Sequence, residues 1–256
     1  MMGTKKSLLT VILAVMILMI ATSSVWAAPQ FEIPNIDIQI GEEESQPQDL
    51  AMSLQIVLLL TVLSLVPSIL ILLTSFTRII IVLSILKRAL AARNMPPAQV
   101  LIGLAIFLTV FVMAPTWQQM NQQALQPYLN EEIDQSTALE RGIEPLREFM
   151  FQQTREKDIA LFINLAETEQ PANQAEVSTY LLVPAFVISE LKTAFQIGFI
   201  IYLPFIVIDM IVASTLMSMG MMMLPPVMIS LPFKILLFVL VDGWYLVIES
   251  LVKTFN

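Results

Sequence analysis

The sequence predicts an all-α membrane protein, built of long kinked apolar helices in hairpins with a helical insertion between two pairs. Three observations predict it. Hydrophobic residues make up 57% of the 256 residues and the mean hydropathy is +0.78, against roughly 45–50% apolar content in an ordinary soluble domain. Four apolar stretches, Ala51–Leu86, Val100–Pro115, Tyr180–Met219 and Leu231–Val252, have helical rather than strand lengths. The one long charged segment lies between the second and third of them, and no internal repeat is present.

Residues 1–27 read as a secretory signal peptide. Lys5 and Lys6 form the positive n-region, Leu8–Ile20 the apolar core, and Val25-Trp26-Ala27 a small-residue cleavage site before Ala28. The alternative is an uncleaved anchor helix, since Ala21 lengthens the apolar run. Cleavage between Ala27 and Ala28 places the new N-terminus outside the inner membrane. Residues 28–50 are an acidic lead-in without a basic residue, read as flexible because the alternation Ile36, Ile38, Ile40 has no partner strand in view.

Residues 51–116 hold the first apolar pair. Thirty-six helical residues from Ala51 to Leu86 would run about 54 Å, against a hydrocarbon core of roughly 30 Å. The expectation is a kink near Pro67, or burial against protein instead of lipid. The linking segment, with Arg78, Lys87, Arg88 and Arg93, is basic and ends at Pro96–Pro97. Val100–Pro115 then leads to Trp117 at an interface.

Residues 117–179 carry eleven acidic and four basic side chains. By the positive-inside rule the basic loop faces the cytoplasm and this region the periplasm. Within it Trp117–Leu129 is Gln-rich and helical. Ile143–Leu165 reads as one amphipathic helix with Phe149, Ile159, Phe162 and Ile163 apolar and Arg147, Arg155, Glu156 and Asp158 charged. Residues 180–256 hold the second apolar pair, in which Tyr180–Met219 would span about 60 Å and kink at Pro184 and Pro204.

Between these two helices five methionines fall within Met217–Met223, three of them consecutive: Met221, Met222 and Met223. Three successive side chains cannot share one helix face, and Gly220 with Pro225–Pro226 argues for a loop. Methionine is unbranched and polarizable, so such a loop can re-pack around different shapes. It is a deformable plug or, on the plainer reading, a set of ordinary packing methionines.

Charges inside the apolar stretches are the other informative residues: Glu190, Lys192, Asp209, Lys234 and Asp242. A charge at a bilayer centre is costly, so each is expected to face protein and pair with a partner on another helix or another subunit. Glu190 and Lys192 point to different sides of a helix. Lys234 and Asp242, two turns apart on one face, are about 12 Å from each other and do not pair. Lys234 with Asp209 or Glu190 is the economical pairing. Register-fixing ion pairs and a proton or ion pathway are both open roles. Glu249 and Lys253, at i and i+4, read as a surface pair.

Several function classes are excluded. With no His and no Cys there is no Ser-His-Asp or Cys-His catalysis, no disulfide and no ordinary zinc site. Neither GxGxxG nor GxxxxGK[ST] occurs, so no nucleotide or other cofactor is expected, and no enzyme. The net charge of −8 opposes nucleic-acid binding.

Four stretches carry a resemblance: Thr74–Leu90 (TSFTRIIIVLSILKRAL), Pro96–Pro115 (PPAQVLIGLAIFLTVFVMAP), Pro184–Phe199 (PAFVISELKTAFQIGF) and Pro232–Trp244 (PFKILLFVLVDGW). They resemble the FliP/SctR family of type III secretion export-gate proteins, over nearly all of residues 51–256. The signal peptide and acidic lead-in are closer to its flagellar branch. The resemblance implies a pentameric ring joined by FliR and FliQ into a helical, conical gate, with FlhB and FlhA nearby, in the bacterial inner membrane and flagellar basal body. It implies unfolded flagellar export substrates as cargo. It places Met221, Met222 and Met223 as a pore gasket. Glu190, Asp209 and Lys234 fall at positions implicated in assembly or function, and Phe149, Arg155 and Phe162 in a periplasmic self-association helix. A competing reading is an ion-coupled transporter or proton channel using Glu190, Lys192, Asp209 and Lys234 as a relay, and a third is a purely structural scaffold.

Overall fold

The computed structural model describes residues 47–91, 95–168, 171–221 and 223–255, with side chains from residue 53 onward save Val66 and Leu70. The signal peptide, Ala27, Ala28, nearly all of the lead-in, Arg93 and Met222 lie outside the described residues. The described chain is helical: α1 Pro47–Leu72, α2 Phe76–Ala89, α3 Ala98–Met120, α4 Gln126–Leu129, α5 Gln135–Gln153, α6 Glu156–Leu165, α7 Thr179–Ser218, α8 Pro226–Leu240 and α9 Gly243–Lys253. A π-helical turn, Asn121–Leu125, joins α3 to α4, and a 3₁₀ turn, Gln174–Glu176, precedes α7. The chain divides into two units after Ser53, and every element from α2 onward belongs to the second, residues 54–256.

The first apolar stretch is two helices. Its break falls at Leu73–Ser75, not at Pro67, which α1 absorbs within its length. The two behave differently. In α2 Ile79, Val82, Leu83 and Leu86 are buried at i, i+3, i+4 and i+7 spacing, the signature of a helix with one core-facing stripe. On α1 apolar side chains are exposed all round, among them Leu54, Leu58, Leu59, Leu63 and Ile69. A helix that is apolar on every face belongs in lipid or against another chain.

The core forms where α2 lies along α7. Gly198 permits the closest approach, because a Cβ there would stand 2.3 Å from Cδ1 of Ile85. Around this seam Leu101, Ala105 and Met113 of α3, Phe149 and Met150 of α5, Leu182 and Phe186 of α7, and Leu251 and Phe255 close one apolar cluster. A smaller cluster joins Leu86, Ala89 and Leu90 to Phe205, Phe238 and Val247.

The expected single helix Ile143–Leu165 is broken. Thr154 and Arg155 are extended, and the Arg155 backbone N–H donates to Ser189 Oγ at 3.1 Å. This tertiary bond replaces the intrahelical one and turns α6 onto α7. Likewise the fourth apolar stretch bends by 65° between α8 and α9. Asp242 adopts the left-handed conformation (φ 50°), and Gly243 packs so close that a Cβ would stand 2.3 Å from the Phe238 ring.

Among the described residues two helical segments are long and apolar enough to cross a membrane by length and composition, Ala98–Leu129 and Thr179–Ser218, or three if the bent α8–α9 pair is one span. The 40 residues of α7 correspond to about 60 Å. Their burial resolves the excess length. Most of the buried residues of α7 lie between Leu181 and Gly198, and beyond Gly198 only Phe205 and Leu216 are buried. The uncovered part, about 20 residues, is about 30 Å long and matches one hydrocarbon core.

Candidate functional site

Arg78 is the hub of the fold, although the sequence sets it in a basic segment and gives it no site role. It sits inside α2, 2% exposed, against Glu190 of α7, 0% exposed. Nε donates to Glu190 Oε2 at 3.0 Å and Nη2 to Glu190 Oε1, a bidentate pair. Nη2 also donates to Gln153 Oε1 at 2.8 Å, and Nη1 to Thr254 O and Thr254 Oγ1, both at 3.0 Å. All five guanidinium N–H donors therefore have an acceptor. The Phe255 ring lies 3.9 Å from the guanidinium carbon and stacks on Phe149. One cation thus joins α2, the end of α5, the first third of α7 and the chain after α9. Its signal in the sequence is a lone cation within an apolar run, the same rule that singles out Glu190.

The second pair is the one anticipated for Lys234. Its ammonium donates to Asp209 Oδ2 at 2.6 Å and to the carbonyl of Ala89 at 3.2 Å. Ser230 Oγ donates to Asp209 Oδ1 at 2.5 Å. Lys234 is 2% exposed and the Asp209 side chain 28%. Ala89 closes α2, where free carbonyls carry the negative end of the helix dipole, so the lysine also caps that helix. Glu190, the other suggested partner, belongs to Arg78.

Within this chain Lys192 and Asp242 are exposed and form no ion pair among the described residues, which corrects the expectation of a partner on another helix and leaves that of a partner on another subunit. Asp242 lies at the α8–α9 bend, so it does not share a helix face with Lys234. Glu249 and Lys253 pair at 2.7 Å as expected.

At the junction of α6 and α7 a third cluster forms. Ser189 Oγ donates to Asp158 Oδ2 at 2.5 Å, and Arg155 Nη2 meets the same oxygen at 2.5 Å. Burial would raise the Asp158 carboxyl, but the bonds from Ser189 and Arg155 more than offset it and hold the group below its ordinary value. At the start of α5 the Ser136 hydroxyl and the Thr137 N–H and hydroxyl bring the exposed Asp134 carboxyl down to about 2, as an N-cap carboxylate should behave. Of the three residues implied in self-association, Arg155 is in the Asp158 cluster and Phe162 is half-buried. Phe149 is inside the core, its ring 6.0 Å from that of Phe186, so it offers no free surface.

The methionine loop is built by a helix stop. Gly220 has φ 76°, its N–H bonds to Met217 O, and the Met221 N–H bonds to Leu216 O. This is the paired 5→2 and 6→1 closure that glycine permits at a helix C-terminus. Pro225 and Pro226 then begin α8. Met217, Met219, Met221 and Met223 all project away from the rest of the chain, Met223 at 98% exposure.

The FliP family profile matches residues 59–251. Over 211 residues the chain is 58% identical to the flagellar biosynthetic protein FliP of Bacillus subtilis, covering 82% of this chain and 96% of that protein. It is 50% identical over 230 residues to the same-named protein of Pectobacterium carotovorum, covering 88% and 89%. To that of Aquifex aeolicus it is 45% identical over 227 residues, covering 88% and 93%. The matched span takes in Arg78, Glu190, Asp209, Lys234 and the methionine loop, and the chain belongs to the FliP family.

Proposed function

We infer that this chain is a non-enzymatic membrane subunit of the flagellar type III protein export gate, in which the methionine loop limits ion leakage while unfolded flagellar proteins pass. The observation that carries the reading is the loop itself, where four described methionines, Met217 in the last turn of α7 and Met219, Met221 and Met223 beyond it, are exposed without a partner in their own chain. Apolar side chains so placed are stable only against lipid or other subunits. A closed ring of subunits would present the same soft side chains several times around one axis, and an apolar constriction resists wetting by hydrated ions. Family membership supports the flagellar role, and the resemblance supplies the pentamer, FliR, FliQ, FlhB and FlhA as partners. Residues 1–27 are then the cleaved leader, 28–50 the lead-in, and 51–116 and 180–256 the gate helices. Residues 117–179 form the periplasmic insertion whose α5 and α6 raise half of α7 out of lipid. A charge relay has less support, because Glu190, Asp209 and Lys234 all find partners within the chain.

The test is ion conductance or small-solute uptake in cells carrying Met221→Ala, Met222→Ala and Met223→Ala together, at normal assembly levels. Leakage should rise while export persists at least in part. Wild-type permeability would make these packing residues and put the seal elsewhere.

A further inference from the structure

Arg88, Lys192 and Asp242 are exposed and form no ion pair among the described residues. Arg88 and Lys192 lie along a groove of about 610 Å³ on the flank of the α2–α7 seam, whose lining includes Ile85, Phe195, Phe199 and Tyr202. None of that lining comes from α8 or α9. Asp242 opens α9, and Glu249 follows two turns later on the same side. Between them Tyr245 and Leu246 are exposed, while Gly243, Val247 and Leu251 make the buried stripe. Glu249 is held by the exposed Lys253, a surface pair that is weak and readily exchanged. We propose that the groove receives α9 of a second copy of this chain, Asp242 against Arg88 and Glu249 against Lys192, with Tyr245 and Leu246 on Phe195 and Phe199.

The register of the charges selects α9. The Arg78 hub gives a common level, because it binds both Glu190 of α7 and Thr254 just after α9. From it α2 and α7 run side by side in one direction, since Ile85 meets Gly198 and Leu86 and Ala89 share a cluster with Phe205. At 1.5 Å per residue Lys192 lies about 3 Å along this direction and Arg88 about 15 Å. The helix α9 runs back toward the hub, with Val247 in that same cluster and Thr254 at Arg78. Glu249 therefore lies about 7.5 Å along and Asp242 about 18 Å. Cations about 12 Å apart thus face anions about 10.5 Å apart, in the same order and displaced by the same few ångström. A copy turned about an axis along the helices keeps both order and level. An acidic face on α5, Glu140, Glu144 and Glu148, approaches the hub at Gln153 from the other side, where Phe149 packs on Phe186, so it does not come level with Arg88. The groove and α9 are different patches, and a contact between different patches joins copies head to tail, the geometry that closes rings. Like charges brought together there would be disfavoured, so the two pairs also fix which faces meet. The proposal rests on the reading of this chain as one subunit of a ring and deepens it.

The experiment is cysteine cross-linking of the full chain in membranes of cells that produce it with its companion subunits. The chain has no cysteine of its own, so an introduced pair is the only one it carries. Phe195→Cys with Leu246→Cys should give a ladder of covalent oligomers on oxidation. Either variant alone should stay monomeric, as should Phe195→Cys with Leu139→Cys, which is exposed on α5. In the cross-linking background Lys192→Glu or Glu249→Lys should each cut the ladder roughly tenfold by placing like charges together. The two reversals combined should restore it to within about twofold, the signature of a direct pair. Both side chains are solvent-accessible in the single chain, so the melting point of each extracted variant should match wild type. Absence of the ladder from particles of unchanged oligomeric size overturns this contact and leaves the ring reading intact. A monomer in every condition overturns both. Equal cross-linking of Phe195→Cys to itself would show a two-fold contact and overturn the head-to-tail one, and failure of the double reversal to restore the ladder overturns the charge pairing.

Discussion

Replacing Arg78 by Met keeps an unbranched apolar stem of similar length to that of Arg and deletes the guanidinium with all five donors. Glu190, with no exposure, then holds a charge with neither water nor a partner. Breaking a buried pair in this way costs about 3–5 kcal/mol, against a total stability of about 5–15 kcal/mol for a domain. The folded fraction relative to unfolded should fall roughly a hundredfold to several thousandfold. Glu190→Met should be damaging for the mirror-image reason. The double replacement should recover most of the loss, because no lone charge remains. It should not recover all, because Gln153 Oε1 and Thr254 O would still lack the donors they now have, a residual of about 1–3 kcal/mol. Thermal or denaturant unfolding of the four proteins in detergent gives the coupling energy directly. The reasoning is refuted if Arg78→Met lies within about 1 kcal/mol of wild type, or if the double variant is no better than the singles.

Lys234→Ala should cost less than Arg78→Met, about 2–3 kcal/mol, because Asp209 is partly solvated and keeps the Ser230 hydroxyl; complex yield and motility report it, and wild-type levels of both would contradict the pairing. Asp158→Asn should destabilise the protein near neutral pH. The folded carboxyl lies below its unfolded value, so its contribution is complete above that value and is lost as pH falls through the folded one. The gap between variant and wild type in a melting series should therefore narrow below about pH 4, and a gap independent of pH would be contrary. Gly243→Ala should cost about 1–3 kcal/mol by overpacking against Phe238. Gly103→Ala meets nothing within 4 Å, so the same methyl should be neutral or stabilise α3; equal effects in the two would refute the packing argument.

The helical class, the membrane character, the family and the places where charge needs a partner are all legible in the amino-acid order alone. The family rests on the resemblance of four stretches, and the other properties follow from composition and local period, which every segment carries within itself. The methionine loop is legible too, because Gly220 and Pro225–Pro226 stop and restart helices by local backbone geometry. Which charges are buried is another matter, settled by packing. Lys192 and Asp242 stand in runs as apolar as those of Glu190 and Lys234, yet they point away from the seam. Arg78 reads as one of a basic group until Glu190, Gln153 and Thr254 close around it from three distant parts of the chain. The break at Thr154–Arg155 is illegible for the same reason. Its replacement hydrogen bond comes from Ser189, 34 residues away, and no local pattern encodes a partner at that distance. Periodicity reports what a segment would bury; which neighbour arrives to be buried against, and which polar group it brings, is fixed when α2, α5, α6 and α7 pack.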